Sequence, residues 1–217
     1  MLLPKYVFFT RGVGVHEKEL QSFESALRDA GISQFNLVQV SSILPPNCKE
    51  ITREEGLEMM KPGQIVFCVL ARNCSNEKSR LVSASIGVAK PKDEEHYGYL
   101  SEFHTFGKEE RTTGDFAEDL AASMLASTLG IPFDENENYD EKREIFMLSD
   151  KIVETKSITA CAEVEEENLY TTTVASAVFI LWSFISLFLN YDNHGYIPLN
   201  INLLRAASLV WLQIGLG

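Results

Sequence analysis

Residues 36–46 read NLVQVSSILPP, an apolar run that ends in two serines and two prolines. Its β-branched side chains predict a strand. Alternate residues of a regular strand share a face, so Asn36 and Ser42 are expected on the same side if the strand continues that far. Prolines at 45 and 46 fix φ and lack N–H donors, which predicts a rigid bend. The pair Ser41 and Ser42 is open to three interpretations: a turn, a nucleophile, or a peptide bond that the chain breaks.

Upstream of this stretch, the sequence predicts a strand, a turn and a helix. Residues 5–10 (KYVFFT) predict the strand and residues 11–14 (RGVG) the turn. Residues 16–31 predict an amphipathic helix that stops at a glycine, with apolar residues at three- and four-residue steps: Leu20, Phe23, Leu27 and Ala30. Glu24 lies at the margin of that apolar face, where the simplest interpretation is a solvated carboxylate.

Downstream, strands outnumber helices. The predicted strands are 64–71 and 80–91, joined by a polar turn at 72–79, then 97–107, 157–164 and 169–181. In the strand 97–107, Leu100, Glu102 and His104 share a face, and a solvent-facing glutamate is the simplest interpretation of Glu102. Residues 112–130 predict a second helix with residues at four-residue spacing, namely Phe116, Leu120, Met124 and Thr128, and residues 132–144 predict an acidic loop. Together these elements favour an α+β sandwich in which helices cover sheets.

Composition limits the classes of partner. The chain has 217 residues, enough for one domain, and a formal net charge of -12 with no basic cluster, which argues against nucleic acid. The acidic surface favours solubility or a cationic substrate. The four cysteines form no CxxC pair and no His stands at ligand spacing, so we expect free thiols in a reducing cytoplasm and no metal site. The first residues lack the cleavage site of a signal peptide.

Three segments, in this order and at these separations, resemble the pyruvoyl-dependent arginine decarboxylase family. They are FESALRDAGISQFNLVQVSSILPP (23–46), SASIGVAKPKD (83–93) and YGYLSEF (97–103), and the most specific element is N-L-x-x-x-S-S-I-x-P-P. The resemblance runs from about residue 6 to about residue 181, which implies one decarboxylase domain over residues 1–181. It also implies a four-layer αββα sandwich, with helices covering mostly antiparallel sheets. The family assembles as trimers or pairs of trimers with active sites between subunits.

The resemblance implies that the chain cuts itself between Ser41 and Ser42. Residues 1–41 then become a β chain, residue 42 begins an α chain, and Ser42 becomes a pyruvoyl group. This ketone replaces pyridoxal phosphate, and no metal is required. Through a Schiff base with the substrate amine, the enzyme converts L-arginine to agmatine and carbon dioxide for polyamine biosynthesis. Glu102 and Ser42 are expected to meet across a subunit interface.

The resemblance also gives roles to four further residues. Asn36 matches the family's asparagine that hydrogen-bonds near the pyruvoyl carbonyl. Glu102 matches the catalytic carboxylate that reprotonates the substrate Cα, and partial burial is expected to keep its proton near neutral pH. Glu24 stands where the family has an aspartate that binds the guanidinium, and Leu27 lines the same pocket. Because Glu24 is one methylene longer, a decarboxylase for another amino acid remains an alternative, as does an unprocessed scaffold subunit.

The last residues depart from the family pattern. Residues 174–189 carry no charge, and residues 182–217 carry only Asp192 and Arg205 among Asp, Glu, Lys and Arg. A spanning helix needs about 20 apolar residues and flanking cations, so a membrane anchor is not favoured. We therefore treat residues 182–217 as an apolar C-terminal extension, either packed on the oligomer or read out of frame.

Overall fold

The computed structural model describes residues 2–132 and 151–181, which form three helices and nine strands. The helices are α1 (Glu19–Asp29), α2 (Arg53–Glu58) and α3 (Glu110–Thr128). The strands are β1 (Pro4–His16), β2 (Asn36–Gln39), β3 (Ile43–Leu44), β4 (Lys49–Glu50), β5 (Ile65–Ser75), β6 (Leu81–Pro91), β7 (Gly98–Phe106), β8 (Ile152–Glu163) and β9 (Tyr170–Leu181). The α+β class and the two closing strands agree with the predictions from sequence.

The strands form two sheets. The first has the order β2-β5-β9-β1-β4, in which β2 pairs with β5 and β4 with β1 in parallel. Its central pairs, β5 with β9 and β9 with β1, are antiparallel. The second sheet has the order β3-β7-β6-β8, and all its pairs are antiparallel. Most pairings are therefore antiparallel, as predicted.

Three apolar clusters connect the helices and sheets. One packs Ala26 of α1 against the first sheet at Phe8. The second lies between the sheets and joins Val69 of the first to Leu100 of the second. In the third, Leu125 of α3 packs with apolar residues of β6 and β8. This order of contacts is the one that an αββα sandwich requires.

The turn predicted at residues 11–14 was wrong, because β1 continues without a break to His16. A Cβ atom at Gly12 would collide with the backbone of α1 at Ala26, and one at Gly14 would collide with it at Ser22. The two glycines therefore allow α1 to lie close to β1, and they do not mark a turn.

Two further predictions from the strand pattern need correction. The strand predicted through Ser42 ends at Gln39, and Ile43 begins β3 in the other sheet. Alternation along one strand therefore does not relate Asn36 to Ser42. The polar turn predicted at 72–79 begins later, because β5 runs to Ser75. Polar residues at 72–75 remain in the sheet, where they pair with β9.

Both long helices are confirmed. In α1, Phe23, Leu27 and Ala30 face the core as predicted, and only Leu20 does not. Leu20 of α1 is 75% exposed, whereas Ala26 is fully buried. In α3, Phe116 and Leu120 are exposed, and the small residues face the second sheet, with Ala121 and Leu125 in its core. Small side chains allow a helix to approach a sheet closely, and apolar spacing alone does not reveal this.

The acidic loop predicted at 132–144 lies outside the described residues beyond Pro132, and the extension 182–217 lies outside them entirely. Among the helices of residues 2–132 and 151–181, none has the length and apolar character needed to span a bilayer.

Candidate active site

Ser41 and Ser42 lie where the chain leaves the first sheet and enters the second. On the first sheet, the N–H of Val40 donates to the carbonyl of Cys68 in β5 at 2.9 Å. On the second, the N–H of Leu100 in β7 donates to the carbonyl of Ser42 at 2.8 Å. The serine pair therefore crosses between two sheets, with a backbone hydrogen bond close to it on each side.

The crossing contains a tight turn centred on Ser42. The N–H of Ile43 donates to the carbonyl of Ser41 at 2.9 Å, which closes a three-residue turn. Ser41 is exposed and Ser42 half-buried. The two prolines follow β3, where the N–H of Cys48 donates to the carbonyl of Pro45 at 3.3 Å. The predicted bend is thus present in two parts, one at the serines and one at the prolines.

Glu102 lies on β7, two residues from Leu100 and on the same face. Two steps along a strand are about 6.5 Å, so Glu102 is close to the Ser42 crossing within one chain, whereas the family resemblance led us to expect that they meet across a subunit interface. Its carboxylate is near the N–H of Leu70, on the part of β5 beyond the last residue that pairs with β2. The turn and the carboxylate therefore both lie where β2 leaves the first sheet.

The surroundings of Glu102 favour its protonated form. Loss of hydration raises the pKa of the Glu102 carboxyl above its ordinary value, and it outweighs His104 and the Leu70 N–H, which favour the charged form. The residue as a whole is exposed in the single chain, although its carboxyl is partly dehydrated. Burial raises the pKa of the neighbouring Cys68 thiol to about 11, with a contribution from Glu102, so this thiol is neutral at physiological pH.

Asn36 does not meet Ser42 within one chain. It begins β2, about 10 Å from the end of that strand at Gln39. Its side-chain amide donates to the carbonyl of Gly63 at 2.7 Å, and the residue is exposed.

Glu24 and Leu27 lie together on α1, which covers the outer face of the first sheet. Both carboxylate oxygens of Glu24 accept from Arg28 at 2.8 Å, and the Glu24 side chain is 48% exposed. Leu27 is half-buried against the core cluster that joins α1 to the first sheet. Glu102, in contrast, extends from the second sheet toward the inner side of the first. Within a single chain, Glu24 and Leu27 are therefore far from the Ser42 crossing.

A family model described as pyruvoyl-dependent arginine decarboxylase (PvlArgDC) matches residues 6–183. The chain belongs to this family.

Curated relatives agree with the family match. The pyruvoyl-dependent arginine decarboxylase of Methanococcoides burtonii is 53% identical over 180 residues, which are 83% of this chain and 100% of that protein. The enzyme of the same name from Nitrosopumilus maritimus is 52% identical over 83% of this chain and 98% of its own length. A probable pyruvoyl-dependent arginine decarboxylase of Chlorobaculum parvum is 56% identical over 82% of this chain and 98% of its own length.

As a member of the pyruvoyl-dependent arginine decarboxylase family, the chain uses a pyruvoyl group made from a serine of its own. The crossing fits such a group, because it presents a serine close to the carboxylate of Glu102. Within residues 2–132 and 151–181, His, Cys, Asp and Glu side chains form no group of three that could hold a metal ion.

The sequence did not predict three backbone groups around the crossing at Ser41 and Ser42. They are the N–H of Leu100, the carbonyl of Cys68 and the N–H of Leu70. Backbone groups carry no residue-type signal, so they become visible only when the strand pairing is known. The pairing of Ile43 with Tyr99 places the crossing beside β7. Ile43 belongs to a two-residue strand, which is too short for any periodicity to predict.

Proposed function

We propose that this protein cuts itself between Ser41 and Ser42 and then converts L-arginine to agmatine and carbon dioxide. Family membership supports the activity. The single observation that carries the cleavage site is the crossing between sheets, where a tight turn is centred on Ser42 and Glu102 lies close by. Agmatine leads to polyamines, and the four free cysteines support a place for the enzyme in the reducing cytoplasm.

Cleavage proceeds in three steps. The Ser42 hydroxyl oxygen attacks the carbonyl carbon of Ser41, the C–N bond breaks, and the hydroxyl proton moves to the Ser42 nitrogen, which leaves an ester. Loss of the Ser42 Cα proton and departure of the Ser41 carboxylate release residues 1–41 and leave dehydroalanine. Water then hydrolyses the dehydroalanine, which releases its nitrogen as ammonia and leaves the ketone.

The two products of cleavage stay together in this proposal. The 1–41 chain contains β1, which pairs with β9 along residues 4–16, and β2, which pairs with β5. Phe8 of β1 and Ala26 of α1 are fully buried in the core. Removing this chain would expose most of one core cluster, so breaking one peptide bond does not separate it.

The pyruvoyl group supplies a ketone that takes up the substrate amine and accepts the electrons left by departing carbon dioxide. The Leu100 N–H holds the Ser42 carbonyl, which fixes the position of that ketone on β7. Glu102 holds the proton that is returned to the substrate Cα, and the upward shift of its pKa supports this role.

Asn36, Glu24 and Leu27 reach the pyruvoyl group of a neighbouring copy in this proposal. They are remote from Ser42 within one chain, and the trimer or hexamer implied by the family resemblance brings copies together. Exposed apolar residues on β2, β3 and β5 supply surface for such contacts: Val38, Ile43 and Ile65. In the assembly, Asn36 binds near the pyruvoyl carbonyl, Glu24 pairs with the guanidinium and Leu27 packs on the substrate's methylenes.

Glu24 also supports a second candidate, a pyruvoyl decarboxylase for another amino acid. Both of its oxygens are bound to Arg28, so a guanidinium must displace that pair. The displacement costs little, because an exposed i,i+4 pair contributes about 0.3–0.5 kcal/mol. Arginine therefore remains the preferred substrate.

Carbon dioxide release from arginine, lysine, ornithine and aspartate tests the substrate. We expect arginine to be turned over fastest, and Glu24→Gln to raise the KM for arginine more than it lowers kcat. A matched variant, Glu77→Gln, neutralises an exposed glutamate that is paired with Arg80 and should leave both constants unchanged. Turnover of another amino acid without turnover of arginine would refute the assignment.

A further inference from the structure

The carbonyl of Ser41 already has a hydrogen-bond donor before cleavage. The Ile43 N–H lies 2.9 Å from that oxygen. The described residues with positive φ, other than glycine, are Asn47, Ser79 and Asn168, so Ser42 keeps a negative φ. A three-residue turn with a negative central φ is an inverse γ-turn, a conformation common at strand ends. The oxygen that must carry negative charge during cleavage is thus the acceptor of this turn.

Two hydrogen bonds to the sheets hold the turn in place. Val40 is bound to β5 by its N–H, and Ser42 is bound to β7 by its carbonyl. Only Ser41 lies between these two anchored residues, which leaves the crossing little freedom to turn its carbonyl away. The Ile43 N–H is itself fixed, because Ile43 of β3 pairs with Tyr99 of β7.

Attack by the serine hydroxyl does not require the fold to bring the reacting atoms together. The Ser42 oxygen and the Ser41 carbonyl carbon belong to one five-membered ring when the new bond forms. What the protein must provide is stabilisation of the charge on the Ser41 oxygen, and a fixed N–H donor at hydrogen-bond distance does this.

We propose that the backbone N–H of Ile43 is the oxyanion donor for self-cleavage. The inference rests on the proposed function and names the group that drives its first step. As the Ser42 oxygen bonds to the Ser41 carbon, the carbonyl electrons move to the Ser41 oxygen, where the Ile43 N–H stabilises them. They return to re-form the carbonyl when the bond to the Ser42 nitrogen breaks. The Leu100 N–H serves as the anchor, because it binds the next carbonyl along the chain.

A backbone ester at residue 43 tests this assignment. Translation with the α-hydroxy analogue of isoleucine replaces the N–H by oxygen and keeps the side chain. Ile51 offers a matched control, because its N–H also donates to a backbone carbonyl, that of Val7 at 3.0 Å. The full-length chains are followed by mass spectrometry with hydroxylamine present. Hydroxylamine traps the first ester as a hydroxamate on residues 1–41, whose mass differs from products of the introduced esters.

We expect the ester at 43 to form residues 1–41 about 10²-fold more slowly than the ester at 51. A slowing of less than about tenfold, in a protein whose circular dichroism matches the control, overturns the inference and leaves the proposed function intact. If the unmodified protein never releases residues 1–41, the proposed function itself fails.

A second measurement decides the matter if the ester at 43 prevents folding. In a crystal structure of the uncleaved Ser42→Ala chain, we expect the Ile43 nitrogen within about 3.2 Å of the Ser41 oxygen. A Ser41 carbonyl turned away from Ile43 in that structure would overturn the inference.

Discussion

The two edges of the sandwich are joined in different ways. At one edge, β2 of the first sheet continues into β3 of the second, and the main chain at Ser41 and Ser42 makes the link. At the other edge, an ion pair connects the sheets: Glu50 of β4 binds Lys90 of β6 at 2.7 Å, and Lys90 also binds Glu154 of β8 within the second sheet at 2.8 Å. Lys156 of β8 also pairs with Glu50.

In the proposed reaction, this difference would let the protein cut its own chain and keep its fold. The bond between Ser41 and Ser42 lies at an edge where little surface is buried. Cutting it would leave the core between the sheets and the ion pairs at the far edge in place. Variants at the two edges should therefore have different effects. Those at the Ser41–Ser42 crossing should change processing, and those at the far edge should change stability.

The largest effect is expected at the link itself. Ser42→Ala removes the attacking hydroxyl, so the chain should remain at 24.4 kDa on a denaturing gel and show no decarboxylase activity. Ser41→Ala is the control, because the proposed reaction uses only the backbone carbonyl of that residue. It should still be cut, and an uncut Ser41→Ala chain would contradict this account of the bond.

Loss of the proton donor should have the next largest effect. Glu102→Gln should still be cut, but decarboxylation should fall by about 10²- to 10⁴-fold. Steady-state carbon dioxide release measures this, and Glu77→Gln again serves as the control. Full activity in Glu102→Gln would place the acid elsewhere.

The pH profile sharpens the same assignment. Loss of hydration raises the pKa of Glu102 above the ordinary value of a glutamate, so the carboxyl keeps its proton to a higher pH. If it is the acid, kcat should fall as pH rises through that shifted pKa, and Glu102→Gln should lose this limb of the profile. An unchanged limb in the variant would assign the titration to another group.

At the far edge the effect should be smaller and confined to stability. Loss of hydration raises the pKa of Glu50, but hydrogen bonds and charges from Lys156 and Lys90 outweigh it and lower the pKa overall. A lowered carboxyl pKa contributes stability above its unfolded value, and that stability is lost as pH falls toward the folded value. The contribution of Glu50 should therefore be present at neutral pH and decline progressively as the pH falls below about 4.5.

Glu50→Gln should lower the stability at pH 7 by about 1 kcal/mol. For a chain of this size, that is about 2–4 °C in Tm, with cleavage and turnover unchanged. Thermal unfolding at pH 7 and pH 4 should show the difference shrinking in acid. Glu77→Gln should shift Tm less, because its pair with Arg80 is more exposed. An equal shift in both variants would mean that the far edge contributes no more than an ordinary surface pair.

Most elements of the fold could be predicted, because hydrophobic periodicity identified both long helices and most of the strands. The shortest helix and strands could not be predicted in this way. The helix α2 was not predicted, although its capping box, formed by Thr52 and Glu55, can be recognised from the sequence. Glycines 12 and 14 predicted a turn because their role, contact with α1, depends on tertiary packing.

The site was predictable only in part. The family resemblance predicted the serine pair and Glu102 as site residues, and the structure brings them to one edge. The link between Asn36 and Ser42 failed as a geometric argument because a strand pattern does not reveal where a chain changes sheets. The polar groups around the crossing are backbone atoms, and their positions follow from long-range pairing of β3 with β7.

Intact mass spectrometry of the purified protein tests the central claim most directly. We predict two species, residues 1–41 ending in a free carboxylate and a chain that begins at position 42 with a pyruvoyl group in place of serine. A single full-length species of 24.4 kDa without carbonyl reactivity would contradict it.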